Sequence, residues 1–308
     1  MYQALNKNNG KLVWAYDTKQ DGAALNFHGN GAVSETLVVT GSDDPTPGNK
    51  GFVYAFERAS GKLRWKYAAG KGVLTDIVTH GQKIYTVTLG DDLVCLDLET
   101  GQQNWKFSSG VTNGDSLVNS SPAISAGRVY FGGMNGTIYA LDESSGRVTW
   151  KRELGLRVST SIAVLGNSLY VGTIVGHLYR LAANTGEILG DYPLDGRAEG
   201  TLTVAENLIL VPLGDEAIVS LDPDLKHQRW LKMAPQTWTT ARPFVLDGSV
   251  LLADRGTLFA YQLVSGNVVW THDFGDVVRG LGSDKGVLYV GTLKGTVYAY
   301  RPPSRRMR

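Results

Sequence analysis

The sequence has a single cysteine, Cys95, in 308 residues. One cysteine excludes an intrachain disulfide framework and any cysteine-based zinc cluster, and it leaves the compartment open. Proline is also scarce, at 10 residues, while the apolar fraction is 43 percent, so collagen-like, Pro-rich and wholly disordered chains are excluded. An excess of one charge sign is missing as well. Lys plus Arg is 30 against 29 for Asp plus Glu, which gives no reason to expect a nucleic-acid or anionic-membrane surface. No apolar run approaches the roughly 18 residues of a transmembrane helix. The opening MYQALNKNNGKLVW has neither the apolar run nor the cleavage site of a signal peptide, so the sequence is expected to be either leaderless or a trimmed mature form. No G-x-S-x-G elbow, H-E-x-x-H, P-loop or C-x-x-C occurs, so no catalytic residue is assigned. His28, His80, His177, His227 and His272 stand in different repeats at no ligand spacing, and no metal site is expected from them.

What the chain has in excess is glycine, 38 residues or about 12 percent, against roughly 7 percent in ordinary globular chains. Much of it marks a repeat. LVCLDLETGQQNW ends at Trp105, IYALDESSGRVTW at Trp150 and LFAYQLVSGNVVW at Trp270. Related strings end at Trp14, Trp65, Gly190 and Trp230, and successive ends are 51, 40, 45, 40, 40 and 40 residues apart. Each unit reads as short alternating runs separated by turns, with Gly61, Gly101, Gly146, Gly186 and Gly266 at a turn position suited to positive φ. Four strands per roughly 40 residues is the spacing of a β-propeller blade, and helix content should be very low.

The spacing predicts an all-β, seven-bladed β-propeller of four-stranded antiparallel blades, as one domain over residues 1–301 with a basic tail over 302–308. The last copy, GVLYVGTLKGTVYAY, is followed by RPPSRRMR rather than a fourth strand. Strand Lys11–Tyr16 is expected to supply it and close the ring, removing exposed sheet edges. The alternative is a trimmed eight-bladed propeller, in which Tyr2–Leu5 belongs to an eighth blade. Trp14, Trp65, Trp105, Trp150, Trp230 and Trp270 are expected to pack between blades. Gly190 leaves that position without a ring, and Leu189 or Tyr192 is expected to fill it.

The string Y-A-L-D-x-x-[TS]-G-x-x-x-W, met closely at Tyr139–Trp150 and loosely elsewhere, resembles the pyrroloquinoline-quinone-like (PQQ-like) repeat family over essentially the whole chain. The resemblance is nearest in type to the non-catalytic lipoproteins of the outer-membrane barrel-assembly machine. It implies a protein-interaction scaffold in the bacterial cell envelope, periplasmic or extracellular, monomeric, with another protein as partner. The quinoprotein dehydrogenases of the family typically hold the quinone against a vicinal Cys-Cys disulfide and bind calcium through a separated Glu, Asn and Asp. A lone cysteine disfavours pyrroloquinoline quinone with calcium, so no cofactor is expected. A lipobox cysteine near the start is likewise missing. The alternatives are a small-ligand binder or quinoprotein-like enzyme using the central channel, or the sensory domain of a larger receptor.

Propeller channels are lined by first strands, and aligning the repeats on Pro122 puts His28, Asp76, Asn119, Glu199, Arg242 and Arg279 on or beside those strands. They form either a polar ligand pocket at the channel mouth or simply a wet channel. Extra residues on a propeller face favour recognition, which makes Asp43 and Asp44, in the insertion SDDPTPGNK, interaction candidates. Trp238 lies outside the repeat position, and its expected role is either an exposed recognition anchor or loop packing.

Overall fold

The computed structural model describes residues 1–21, 26–27, 29–44, 50–110, 120–239 and 242–303. The fold is all-β. Among the described residues the sole helical element is a 3-10 turn, Thr18–Asp21, and no helix is long and apolar enough to cross a membrane. Seven antiparallel blades follow one another as the repeat requires: residues 32–68, 78–108, 123–153, 163–193, 203–233, 244–273 and 278–300. The first six are four-stranded with strands in sequence order, and the seventh has three strands. Two compact units divide the chain. One is Met1–Val164 with Leu181–Glu187, and the other is Leu165–Arg180 with Ile188–Arg308.

Blade 3 shows why the repeat folds as it does. Its second and third strands, Arg128–Gly132 and Thr137–Asp142, are buried on both faces. They therefore read as continuous β-branched and aromatic runs, paired Val129↔Leu141, Tyr130↔Ala140 and Phe131↔Tyr139. The fourth strand, Val148–Glu153, is an edge and alternates exposed with half-buried positions. Between the third and fourth strands, Asp142 Oδ1 accepts hydrogen bonds from the amides of Ser144 (3.2 Å) and Ser145 (2.9 Å) and from both hydroxyls. These donors hold the Asp142 carboxyl down at about 2. Gly146 closes the turn at φ 68°, its amide 2.8 Å from the Asp142 carbonyl.

The closing strand behaves differently from the expectation. Leu12–Tyr16 is paired with Tyr2–Leu5 in a two-stranded hairpin, in register Tyr2↔Tyr16 and Ala4↔Trp14, and the sheet of blade 7 has three strands among the described residues. The physical reason is locality. A six-residue connection, Asn6–Lys11, with Gly10 at φ 69° and its amide on the Asn6 carbonyl, closes at little entropic cost. This is the pairing that the alternative of an eighth, partial blade calls for. In blade 7 the third strand, Val297–Tyr300, pairs with Val287–Thr292 and is largely exposed, unlike its mostly buried counterparts.

The repeat tryptophans make one recurring contact within each unit. Trp14, Trp65, Trp105, Trp150 and Trp230 each donate Nε1–H to a carbonyl in the next turn, of Arg58, Leu98, Glu143, Ala183 and Leu263 respectively, at 2.9–3.1 Å. Each ring also lies flat against the glycine three residues beyond that carbonyl. A Cβ added at Gly61 would sit 2.5 Å from Trp14, and one at Gly146 would sit 2.6 Å from Trp105. The turn glycine is thus fixed twice, by its positive φ and by an indole against its Cα. On the strand pairing with each repeat Trp the facing residue is small: Ala4, Ala55, Cys95, Ala140, Ser220 and Ala260.

Candidate functional site

The channel-strand candidates divide between the two units. In the first, Asp76 stitches three repeats together. Its Oδ1 accepts from the Asn30 amide at 2.9 Å and from Asn30 Nδ2 at 2.7 Å, and its own amide donates to Ser121 Oγ at 3.1 Å. The backbones approach so closely there that a Cβ on Gly29 would lie 2.1 Å from the Thr75 carbonyl oxygen. Thr75 Oγ1 bonds the Val87 carbonyl and amide and lies 2.9 Å from Thr86 Oγ1, fixing the strand on its own blade. His28 and Asn119 lie outside the described residues.

In the second unit Glu199 is partly buried and held by its backbone, its amide on the Pro212 carbonyl at 3.1 Å and a bridge to Leu213. Arg242 is partly buried and Arg279 is exposed on strand Val278–Asp284. Among the described residues no ion pair joins the Glu199 and Arg279 side chains. A pairing of acid and base at hydrogen-bonding distance, which proton transfer needs, is therefore not assembled from these two groups.

The loop candidates move inward. Asp43 closes strand Leu37–Asp43 opposite Gly51, exchanges backbone hydrogen bonds with Asn26 and is only 5 percent exposed. Asp44 donates its amide to the Lys50 carbonyl at 2.9 Å and closes the insertion, whose tip, 45–49, lies outside the described residues. Trp238 is 6 percent exposed and packs edge-on against Phe259 and Tyr261 at 6.1 and 6.3 Å. Its amide reaches the Asp215 carbonyl, and the neighbouring Gln236 and Thr237 amides reach Asp254. The loop is pulled onto the blade by these bonds, so Trp238 packs the loop and is no exposed anchor.

The structure also assembles features that the sequence reading did not pick out. His80 Nδ1 and Tyr85 Oη meet one carboxylate oxygen of Glu143, at 2.6 and 3.0 Å. The Tyr85 hydroxyl is pushed far up, first by burial and then by Cys95 and Glu143. Asp222, Asp224 and His227 bring their ligating atoms within 4.8 Å of one another, but Arg229 Nε already occupies Asp222 Oδ1 at 2.6 Å. A resident guanidinium supplies the positive charge that a metal ion would bring.

The junction at Gly190 departs most from the rest. Neither Leu189 nor Tyr192 fills the place of the Trp. Leu225, from the next turn, does: it is buried, its backbone is left-handed at φ 58°, and its Cδ1 would meet a Gly190 Cβ at 3.9 Å. The residue facing Gly190 is Arg180, where the other blades carry a small side chain. The turn carbonyl that an indole would bond, Pro223 O, keeps the tyrosine donor of the repeat, Tyr170 Oη at 2.7 Å, whereas Ala183 O accepts from both Tyr130 Oη and the Trp150 indole. Sequence held half of this signal, in the missing Trp, but Arg180 and Leu225 lie ten residues before and thirty-five after it.

Comparison with known proteins agrees with this geometry. An outer membrane protein assembly factor BamB from Legionella pneumophila is 28% identical over 176 residues, covering 53% of this chain and 42% of the relative. The Yersinia pestis BamB is 26% identical, covering 63% and 49%. The chain thus spans about half the length of these curated relatives. In fold, the crystal structure of BamB from Moraxella catarrhalis superposes with a TM-score of 0.77 at 19% identity, covering 94% of this chain and 89% of that one. A family model matches residues 2–162 and again 134–279, and the chain belongs to that PQQ-like repeat family, described as outer membrane protein assembly factor BamB.

Proposed function

We propose that this chain is a non-catalytic scaffold for the assembly of outer membrane proteins, acting in the bacterial cell envelope outside the cytoplasm. The observation that carries the reading is the family match across nearly all of the blades, on a fold whose recurrent contacts all serve rigidity. Blades locked by indole–carbonyl bonds and by the Asp76 stitch hold their connecting loops in fixed positions. Such a frame presents surfaces to another protein, and an extended segment of that partner adds along an exposed outer strand. Monomeric action without a bound cofactor belongs to the same proposal.

The test is complementation. The chain is exported to the periplasm of a strain lacking its own BamB, and outer-membrane barrel proteins are quantified in isolated membranes. Recovery of their level, with co-purification of the assembly machinery, supports the scaffold. Unchanged low levels from a folded, exported chain would sink it. A parallel titration with pyrroloquinoline quinone and calcium tests the enzyme alternative, since a saturable thermal shift with quinone absorbance would replace the scaffold by a quinoprotein.

A further inference from the structure

The junction at Gly190 carries a site of its own. In five other places an indole of this chain fills the gap between a fourth strand and the following turn. Here the gap carries no ring, and beside Gly190, whose nearest neighbours include Arg180 and Asp224, lies a pocket of about 390 Å3 lined by Arg180, Asn207, Asp222, Pro223, Asp224 and Arg229. A Cβ on Gly190 would meet its nearest neighbours, Arg180 Cβ, the Asp224 carbonyl and Leu225 Cδ1, at 3.8–3.9 Å, which is ordinary contact distance. Leu225 is a non-glycine residue held in the left-handed region, a strained backbone of the kind that gathers at functional positions.

Two further observations point to what the pocket takes. The Arg180 guanidinium is anchored through Nε on Ser168 Oγ at 2.9 Å and faces the pocket, as a fixed cation able to lie against a π-face. Beside it, the outer strand Ile188–Pro193 is the edge of its sheet, and its Ile188 and Leu189 are 43 and 46 percent exposed. Unpaired backbone, exposed aliphatic side chains and a recess of this kind are the elements by which an edge strand binds an added strand.

We propose that a partner protein lays an extended segment along Ile188–Pro193 and inserts one aromatic side chain, tryptophan by preference, into this pocket against Arg180, with the indole N–H directed to the Asp224 carboxylate. The partner thereby supplies the ring that the chain provides for itself at the other junctions. The proposal rests on the scaffold reading above and names its contact.

The probe is an acetylated hexapeptide with a central 5-fluorotryptophan flanked by valine and threonine, followed by fluorine NMR against the full chain. Saturable binding is expected, weakened about tenfold by Arg180→Ala and lost in Gly190→Trp, whose own ring takes the place. Thermal melting checks that both variants fold, and Arg180→Ala decides the matter if Gly190→Trp does not. A peptide that binds no better than its alanine analogue, which lacks the fluoroindole (read by competition), would overturn the site, as would equal affinity for wild type and Arg180→Ala. Self-association of the chain that the peptide does not disturb, lost in Ile188→Lys, would assign the strand to a second copy and overturn the proposal too. Failure of the peptide with complementation intact removes this contact alone, and failure of complementation with peptide binding intact removes the scaffold reading alone.

Discussion

Replacing Gly146 by alanine tests whether the turn glycine is needed for its backbone angle or for the indole against it. Gly146 and Gly155 have the same φ of 68°, so alanine pays the same left-handed penalty at both, about 1–2 kcal/mol. Both substitutions also restrict the unfolded chain, which offsets about 0.4–1 kcal/mol of that penalty. They differ in what the new Cβ meets. At Gly155 nothing lies within 4 Å, whereas at Gly146 three ring atoms of Trp105 lie at 2.6–2.8 Å. Trp105 cannot easily withdraw, because it is buried and its Nε1 is bonded to the Glu143 carbonyl at 3.1 Å. Overpacking of this kind adds about 1–3 kcal/mol. Gly155→Ala should therefore cost about 1 kcal/mol and Gly146→Ala about 2–4 kcal/mol, read by urea unfolding with hydrogen exchange in blades 2 and 3. Trp105→Leu in the Gly146→Ala background should recover part of the difference as a coupling energy of about 1–2 kcal/mol. Equal losses at the two glycines would refute the docking role of the indole and leave only the φ requirement.

Asp142→Asn should make stability less dependent on pH in the acid range. The folded carboxyl sits at about 2, below its unfolded value near 4, so its contribution is full above pH 4 and fades as pH falls toward 2. The variant is expected to melt below wild type at pH 7 and to match it near pH 2, and a gap that stays constant over pH 2–7 would rule this out. Tyr170→Phe should cost about 1 kcal/mol by leaving the Pro223 carbonyl without its hydroxyl donor. Tyr130→Phe should cost less, because Ala183 O keeps the Trp150 indole, and urea midpoints of the two variants decide between them.

Blade boundaries, the low helix content and the inter-blade place of Trp105 or Trp150 were legible because each follows from a pattern repeated every forty residues. Alternation, a turn glycine and a large ring recur together, and local chemistry suffices to read them. What was not legible depended on which of two competing partners wins. Leu12–Tyr16 could pair with a strand close in sequence or with one almost three hundred residues away, and spacing does not rank the two. Trp238 could face outward or inward, and the choice was made by Asp215 and Asp254, whose bonds to the loop leave no trace in a linear pattern. Asp76 was recognised as polar and channel-side, but its role as a stitch needed the register of three repeats.

The changes at the fourth junction are best understood together. Loss of the ring at Gly190 alone would leave a cavity, costly in a buried site. Leu225 takes up part of the volume, at the expense of a left-handed backbone, while Pro223 keeps the tyrosine donor that Ala183 has as well. Arg180 stands where the six Trp-facing positions have Ala, Cys or Ser, and this substitution does not follow from repair. A junction that only needed filling would be completed by another apolar side chain, which brings no charge to solvate. A guanidinium anchored on Ser168 and bordered by two carboxylates instead gives the outer half of the slot a polar, directional lining. The inner half of the junction is thus built for stability and the outer half for recognition, and the boundary between them runs through Gly190.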